Sequence, residues 1–217
     1  MGKKELSERI HRRLREEYVP RERSRGDPGD VLIRTVLSQN TSDVNSRRAF
    51  ERLKSRFPGM EDIAGAETED IEDAIRPGGL HKGKARVIKN LVTRAVEEGL
   101  DLESMTDSEA REHLESMEGV GPKTASCVLL FALGREVLPV DTHVYRLSKR
   151  IGLLEESVPI NRADRKLEEF VPPEIRYELH LNLIEHGRRV CRPRNPRCQE
   201  CVIVDLCSYG RSRMGIE

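Results

Sequence analysis

Apolar residues recur at spacings of three and four along nearly the whole chain, and strict alternation over five or more positions is almost absent, so the pattern predicts helices. Residues 84–96 carry Val87, Ile88, Leu91, Val92 and Ala95 on one stripe. A helix is expected to open at Asp27, an N-cap followed by Pro28 at the first helical position, and to bury Val31, Leu32, Thr35 and Val36. Thr106 and Glu109 are spaced as a capping box ahead of Ala110, His113, Leu114 and Met117. Glycine and proline punctuate these stretches at Pro58-Gly59, Pro77-Gly78-Gly79, Gly121-Pro122 and Pro172-Pro173. The fold class is therefore all-α, with about ten short helices and neither an internal repeat nor a low-complexity linker.

Composition narrows the classes that such a chain can serve. At 217 residues it has room for one generous domain or two small ones. It has no Trp, four Tyr and four Phe, too few for an aromatic platform that stacks single strands. The longest apolar run, residues 128–133, is far too short to cross a bilayer. The first residues are charged throughout, with Glu5, Glu8, Glu16 and Glu17, unlike a secretory signal. A cytoplasmic protein without membrane association is the expectation.

Formal charge is zero, with Lys plus Arg and Asp plus Glu both at 38. That sum argues at first against nucleic acid as a partner. The charge is sorted, however: residues 1–60 carry +6, 61–80 carry −6, 81–96 carry +5, and 97–118 carry −8. Residues 119–150 and 186–217 are again positive and 151–185 negative. Solvated helix faces of alternating sign explain this blandly. The sharper expectation is a two-faced molecule, basic over a groove between domains and acidic behind.

Two constellations carry chemistry. Cys191, Cys198, Cys201 and Cys207 fall within seventeen residues as C-x6-C-x2-C-x5-C, while Cys127 stands apart in an apolar stretch as a buried small hydrophobe. Nothing marks the chain as secreted, so a metal site is more economical than disulfides. Only one close Cys-x-x-Cys pair is present, and spacing alone leaves zinc and iron–sulfur both open. Arg188, Arg189, Arg192, Arg194 and Arg197 flank or enter this loop. The second constellation is Gly119-Val120-Gly121-Pro122-Lys123-Thr124 behind the capped helix. Two glycines allow a tight turn, and exposed N–H groups at the start of the next helix form an anion site. An ordinary tight link between helices is the plainer alternative. Downstream, Asp141 reads as the N-cap of a helix over 142–150.

Together these features resemble the endonuclease III family of DNA repair glycosylases. The resemblance rests on L-S-Q-N-T-S-D at 37–43, G-G-L-H-K-G-K-A at 78–85, E-G-V-G-P-K-T-A at 118–125, V-D-T-H-V at 140–144, E-H-G-R-R-V-C at 185–191, and the cysteine loop. It implies a helix-hairpin-helix glycosylase fold: a six-helix barrel over 27–136, and a second helical domain from 1–26 and 137–217 whose four cysteines hold a 4Fe–4S cluster. It also implies site residues. Lys123 is the nucleophile at the sugar C1′, and Asp141 is the carboxylate that supports it. Gln39 fills the space left by a flipped base and Leu80 wedges into the duplex, the alternatives being a loop amide and a core leucine. Gly119 and Gly121 present backbone to phosphate, and His143 touches DNA or simply packs. Glu115 matches an acidic position of the family, with an exposed solubilising residue as the alternative, and His81 stands where an aromatic is common.

The implied function is a bifunctional DNA N-glycosylase and abasic-site lyase of base excision repair. It removes oxidised pyrimidines from double-stranded DNA and cuts 3′ to the site by β-elimination, as a cytoplasmic, nucleoid-associated monomer. A mismatch or pyrimidine-dimer glycosylase on the same scaffold is the alternative within the class. A non-catalytic DNA-binding or redox module is the alternative outside it.

Overall fold

The computed structural model describes residues 1–19, 22–99 and 101–216. Twelve α-helices and five short 3-10 turns make up its regular structure, with no strand among the described residues. The chain divides into two compact units, one from Met1–Arg23 with Glu136–Glu217 and the other from Ser24–Arg135.

The Ser24–Arg135 unit holds α2 (Pro28–Ser38), α3 (Asp43–Arg56), α4 (Met60–Gly65), α5 (Thr68–Ile75), α6 (His81–Glu98), α7 (Asp107–Glu115) and α8 (Pro122–Phe131). Helix α2 starts where the sequence expects, with Asp27 Oδ1 accepting from Asp30 N–H at 2.9 Å and Pro28 in the first turn. Its burial is broader than one stripe: Ile33 and Leu37 join Leu32, Thr35 and Val36 inside, while Val31 is only half-buried. The reason is packing, since α3, α6 and α8 all lie against α2, and a helix covered on several faces becomes apolar on several faces. Helix α8 follows the same rule, burying every residue from Thr124 to Leu130. Cys127 is among them. Each fully buried Leu or Ile contributes roughly 1.5–3 kcal/mol relative to exposure, so these two helices anchor the unit.

The other unit is built from α1 (Lys3–Glu17), α9 (Thr142–Ile151), α10 (Ala163–Glu168), α11 (Arg176–Arg189) and α12 (Ser208–Met214). Ile10 and Leu14 of α1, Val144, Leu147 and Ile151 of α9, and Leu179 and Leu183 of α11 share one core with Ile203 and Leu206. Helix α9 ends at Gly152, whose φ of +96° allows its N–H to bond back to Ser148 O and Lys149 O. No helix is long and apolar enough to cross a membrane among the described residues.

Candidate functional site

The segment from α7 to α8 is a helix, a glycine hairpin and a helix. Thr106 and Glu109 close the capping box at the start of α7, as their spacing predicts. The buried Arg111 of α7 donates to Ser126 Oγ of α8 at 3.0 Å, which ties the two helices together. The two glycines of the hairpin are not equivalent. Gly119 has φ +83°, and a Cβ there would lie 2.5 Å from Val87 Cγ1 of α6. Gly121 is extended at φ −102°, and a Cβ on it would meet nothing within 4 Å. Pro122 then opens α8, which has no side-chain cap, and the N–H groups of Gly121, Lys123 and Thr124 find no acceptor among the described residues. Lys123 is half-buried on this first turn. Glu115, at the end of α7, is half-buried rather than exposed, and its Oε1 is shielded without a hydrogen-bond partner among the described residues.

A cleft of about 660 Å³ opens elsewhere on the same unit, between the end of α2 and the start of α6. Gln39 and Leu80 both line it, with Asn40, His81, Lys82 and Arg86. Gln39 is the exposed C-cap of α2. Leu80 is 64% exposed and takes a left-handed conformation at φ +49° as it starts α6, so it is no core leucine. Two left-handed residues, Asn40 at φ +52° and Leu80, thus turn the two lips of the cleft. Beneath them the buried Lys84 donates to Leu37 O at 2.8 Å and Gly78 O at 3.0 Å. His81 Nε2 stands 3.3 Å from Glu72 Oε1.

In the Met1–Arg23 and Glu136–Glu217 unit, Asp141 caps α9 with one oxygen. Its Oδ1 accepts from His143 N–H at 2.9 Å and Val144 N–H at 2.8 Å, which fixes the carboxylate and leaves Oδ2 out of the cap. His143 packs on Gly187, where a Cβ would lie 2.8 Å from its Nδ1, and that Nδ1 stands 3.2 Å from Arg146 Nη2. Burial lowers its pKa, Asp141 opposes the shift, and Arg146 and Arg188 add to it.

The cysteine loop lies in the same unit, and none of its four thiols is in a disulfide. Arg150 Nη1 reaches Cys191 Sγ at 3.3 Å, Gly210 N–H reaches Cys207 Sγ at 3.3 Å, and His186 Nε2 reaches Cys201 Sγ at 3.3 Å. Arg146 binds the Cys191 carbonyl at 2.9 Å. His186 is 1% exposed, and its Nδ1 meets the Tyr18 hydroxyl at 2.9 Å. Burial lowers the His186 pKa to about 4 and raises that of Tyr18 to about 12, so the imidazole is neutral and the phenol keeps its proton. Burial likewise pushes the Cys201 thiol up to about 12, and the other three cysteines add to the shift.

A family model described as HhH-GPD superfamily base excision DNA repair protein matches residues 33–173. The chain belongs to that superfamily. A second model, the iron-sulfur binding domain of endonuclease III, matches residues 191–207. Endonuclease III of Thermotoga maritima is 35% identical over 89% of this chain and 89% of its own length. A putative DNA glycosylase of Arabidopsis thaliana is 41% identical over 73% of the chain, which spans 56% of that longer protein. A trapped endonuclease III–DNA covalent intermediate superposes at a TM-score of 0.82, with 28% identity and 99% of both chains covered. The protein is an endonuclease III-like DNA glycosylase/lyase of base excision repair, and DNA is its partner.

The cysteine loop fits the iron–sulfur cluster of this family. Four clustered thiolates repel one another unless a cationic body lies among them. Cys198 and Cys207 are buried, Cys191 and Cys201 half-buried, and Cys201 is close enough to the other three to interact with each. One zinc ion would draw four sulfurs to about 2.3 Å from a single point. The family model that matches residues 191–207 is that of an iron-sulfur binding domain, and it decides for the cluster over zinc. Sequence reasoning did not find the donors that surround these sulfurs. Arg146, Arg150 and His186 reach the loop from α9 and α11, with Tyr18 behind His186, and no local motif announces such long-range contacts. It also missed Lys84, although position 84 lies one turn before Ile88 on the apolar stripe of α6, where a lysine is conspicuous.

Proposed function

We propose that this glycosylase/lyase removes oxidised pyrimidines from duplex DNA and then cuts the strand 3′ to the abasic site, acting as a monomer. The observation that carries the reading is Lys123, an amine on the uncapped first turn of α8, directly behind a glycine backbone that stands open to solvent.

A base inside a duplex is out of reach of a side chain, so the damaged nucleotide is rotated out of the stack. Leu80 enters the stack from one lip of the cleft, and Gln39 fills the vacated space from the other. The N–H groups of Gly121, Lys123 and Thr124 take a backbone phosphate, which the start of a helix favours. The open side of Gly121 lets that phosphate approach. His143 adds a contact near the Asp141 cap. The neutral Lys123 amine attacks C1′. The C1′–N bond breaks, its electron pair leaves with the base, and the base takes up a proton. Asp141 lends its carboxylate to the positive charge on the sugar or accepts the proton that leaves Lys123. The lone pair of the resulting secondary amine then expels O4′ as the C1′–O4′ bond breaks, O4′ takes up a proton, and the opened sugar is held as a protonated Schiff base. Removal of a C2′ proton then expels the 3′ phosphate by β-elimination, and water releases Lys123.

Borohydride reduces such a Schiff base to a permanent link. With a duplex carrying an abasic site, the natural protein is expected to yield a covalent adduct and Lys123→Ala none. An adduct at full yield in the variant refutes the Lys123 assignment. Substrate class is checked by base release from duplexes with a ring-oxidised thymine or a G·T mismatch, where preference for the mismatch refutes the oxidised-pyrimidine reading.

A further inference from the structure

Lys84 is 6% exposed, and its ammonium has two backbone carbonyls for partners, Leu37 O at 2.8 Å and Gly78 O at 3.0 Å. Neutral oxygens do not cancel a buried positive charge, and burial accordingly lowers its pKa. An apolar side chain on the stripe of α6 fills a core without that penalty. What an ammonium supplies and a leucine does not is three donors on one atom, able to join two segments of backbone at one point.

The two segments are the lips of the cleft. Leu37 O belongs to the last turn of α2, where carbonyls have no downstream N–H to bind, and Gln39 follows two residues later. Gly78 O belongs to the 3-10 turn Arg76–Gly78, and Leu80 also follows two residues later. Each side chain is thus at most about 7 Å of chain from an atom held by Lys84. Both arms then turn through left-handed residues, Asn40 and Leu80, which persist only where the surroundings hold them.

We propose that Lys84 is a positioning residue: it clamps the end of α2 to the 76–79 turn and so sets the separation of Gln39 and Leu80, the pair that enters the duplex. The inference rests on the reading of that pair given above. Lys84 itself touches no DNA and acts through the two side chains it spaces.

The test is a double-mutant cycle on the full chain. The measured quantity is the Kd for a duplex holding a tetrahydrofuran abasic analogue, at fixed salt, with concentrations corrected for folded fraction by circular dichroism. Lys84→Met keeps the stem and removes the donors. It is expected to weaken binding about tenfold in the natural background and less than twofold when Gln39→Ala and Leu80→Ala are already present. Lys84→Arg keeps a cation with donors and is expected to lose less than Lys84→Met, again only where Gln39 and Leu80 remain. If Lys84→Met does not fold, the cycle is run with Lys84→Gln, which removes the cation and cannot span both carbonyls as the ammonium does, under the same criterion. An equal loss in both backgrounds, or no loss in the natural one, overturns the inference. Natural affinity in the Gln39→Ala, Leu80→Ala protein instead overturns the reading of the pair, so the two failures are told apart.

Discussion

Alanine at Gly119 and alanine at Gly121 should fail in opposite ways, one in stability and the other in binding. At Gly119 the backbone φ of +83° is left-handed, and the new Cβ would lie 2.5 Å from Val87 Cγ1. The conformation costs alanine about 1–2 kcal/mol, and forcing Val87 aside costs about 1–3 kcal/mol more. A loss of roughly 2–5 kcal/mol lowers the melting temperature by about 4–20 °C in a chain of this length. At Gly121 the backbone is extended and the space ahead of it is empty. Alanine there leaves stability unchanged or raises it by up to about 1 kcal/mol through the unfolded chain. The same methyl, however, stands where the proposed mechanism brings a phosphate to the N–H groups of the hairpin. Losing one charge-assisted hydrogen bond removes about 1.5–3 kcal/mol, which is about a 10- to 100-fold rise in Kd. Thermal unfolding by circular dichroism and titration of an abasic-analogue duplex at fixed salt read the two effects separately. Gly121→Ala melting as low as Gly119→Ala, or binding DNA within twofold of the natural protein, would refute the argument.

Two further predictions concern the other unit. His143 has its pKa lowered by burial, so below 6.5 the unfolded chain binds protons that the folded one refuses, and stability rises with pH through that window. His143→Gln should therefore show a smaller fall in melting temperature between pH 7 and pH 5, and an undiminished fall would contradict the assignment. With a cluster bound Cys201 would be a thiolate, which accepts only, so a neutral His186 would carry its proton on Nε2 toward Cys201 and take the Tyr18 hydroxyl on Nδ1. A donor on sulfur favours the more negative state of a cluster. At about 1 kcal/mol, its removal in His186→Phe should lower the cluster potential by on the order of 40 mV. Voltammetry of the holoprotein checks this, and an unshifted potential rejects the hydrogen bond as a determinant.

What the sequence disclosed was governed by how local each cause is. The caps at Asp27, Thr106 and Asp141 are legible because a cap and the N–H groups it binds lie within three residues. The order of the motifs carried the family, since each is a short unbroken run. The roles of the two hairpin glycines were not separable, because the demand on Gly119 comes from Val87, thirty-two positions earlier in the chain. Ile33 and Leu37 were missed for a similar reason: a one-stripe template has no place for a helix covered by three neighbours. Leu80 was left between a wedge and a core residue. Only its exposure separates those readings, and exposure is a tertiary property.

The zero net charge also changes meaning once side chains are placed. The +5 block over residues 81–96 reads in the sequence as a basic footprint, yet most of its cations face the protein's own backbone. Lys84 binds Leu37 O and Gly78 O, Lys89 binds Ala64 O and Ala66 O, and Arg94 joins Glu98 and Ser116 O. Lys82 and Arg86 remain exposed, and both line the cleft beside Leu80. A count of charge per segment therefore overstates the positive surface, just as the global sum understates it. Affinity for a polyanion depends on how many cations reach phosphate, and orientation depends on where backbone N–H groups and fixed side chains stand. A chain with no excess charge meets both needs when a few cations, such as Lys82 and Arg86, are left outside and the rest are spent on its own carbonyls and carboxylates.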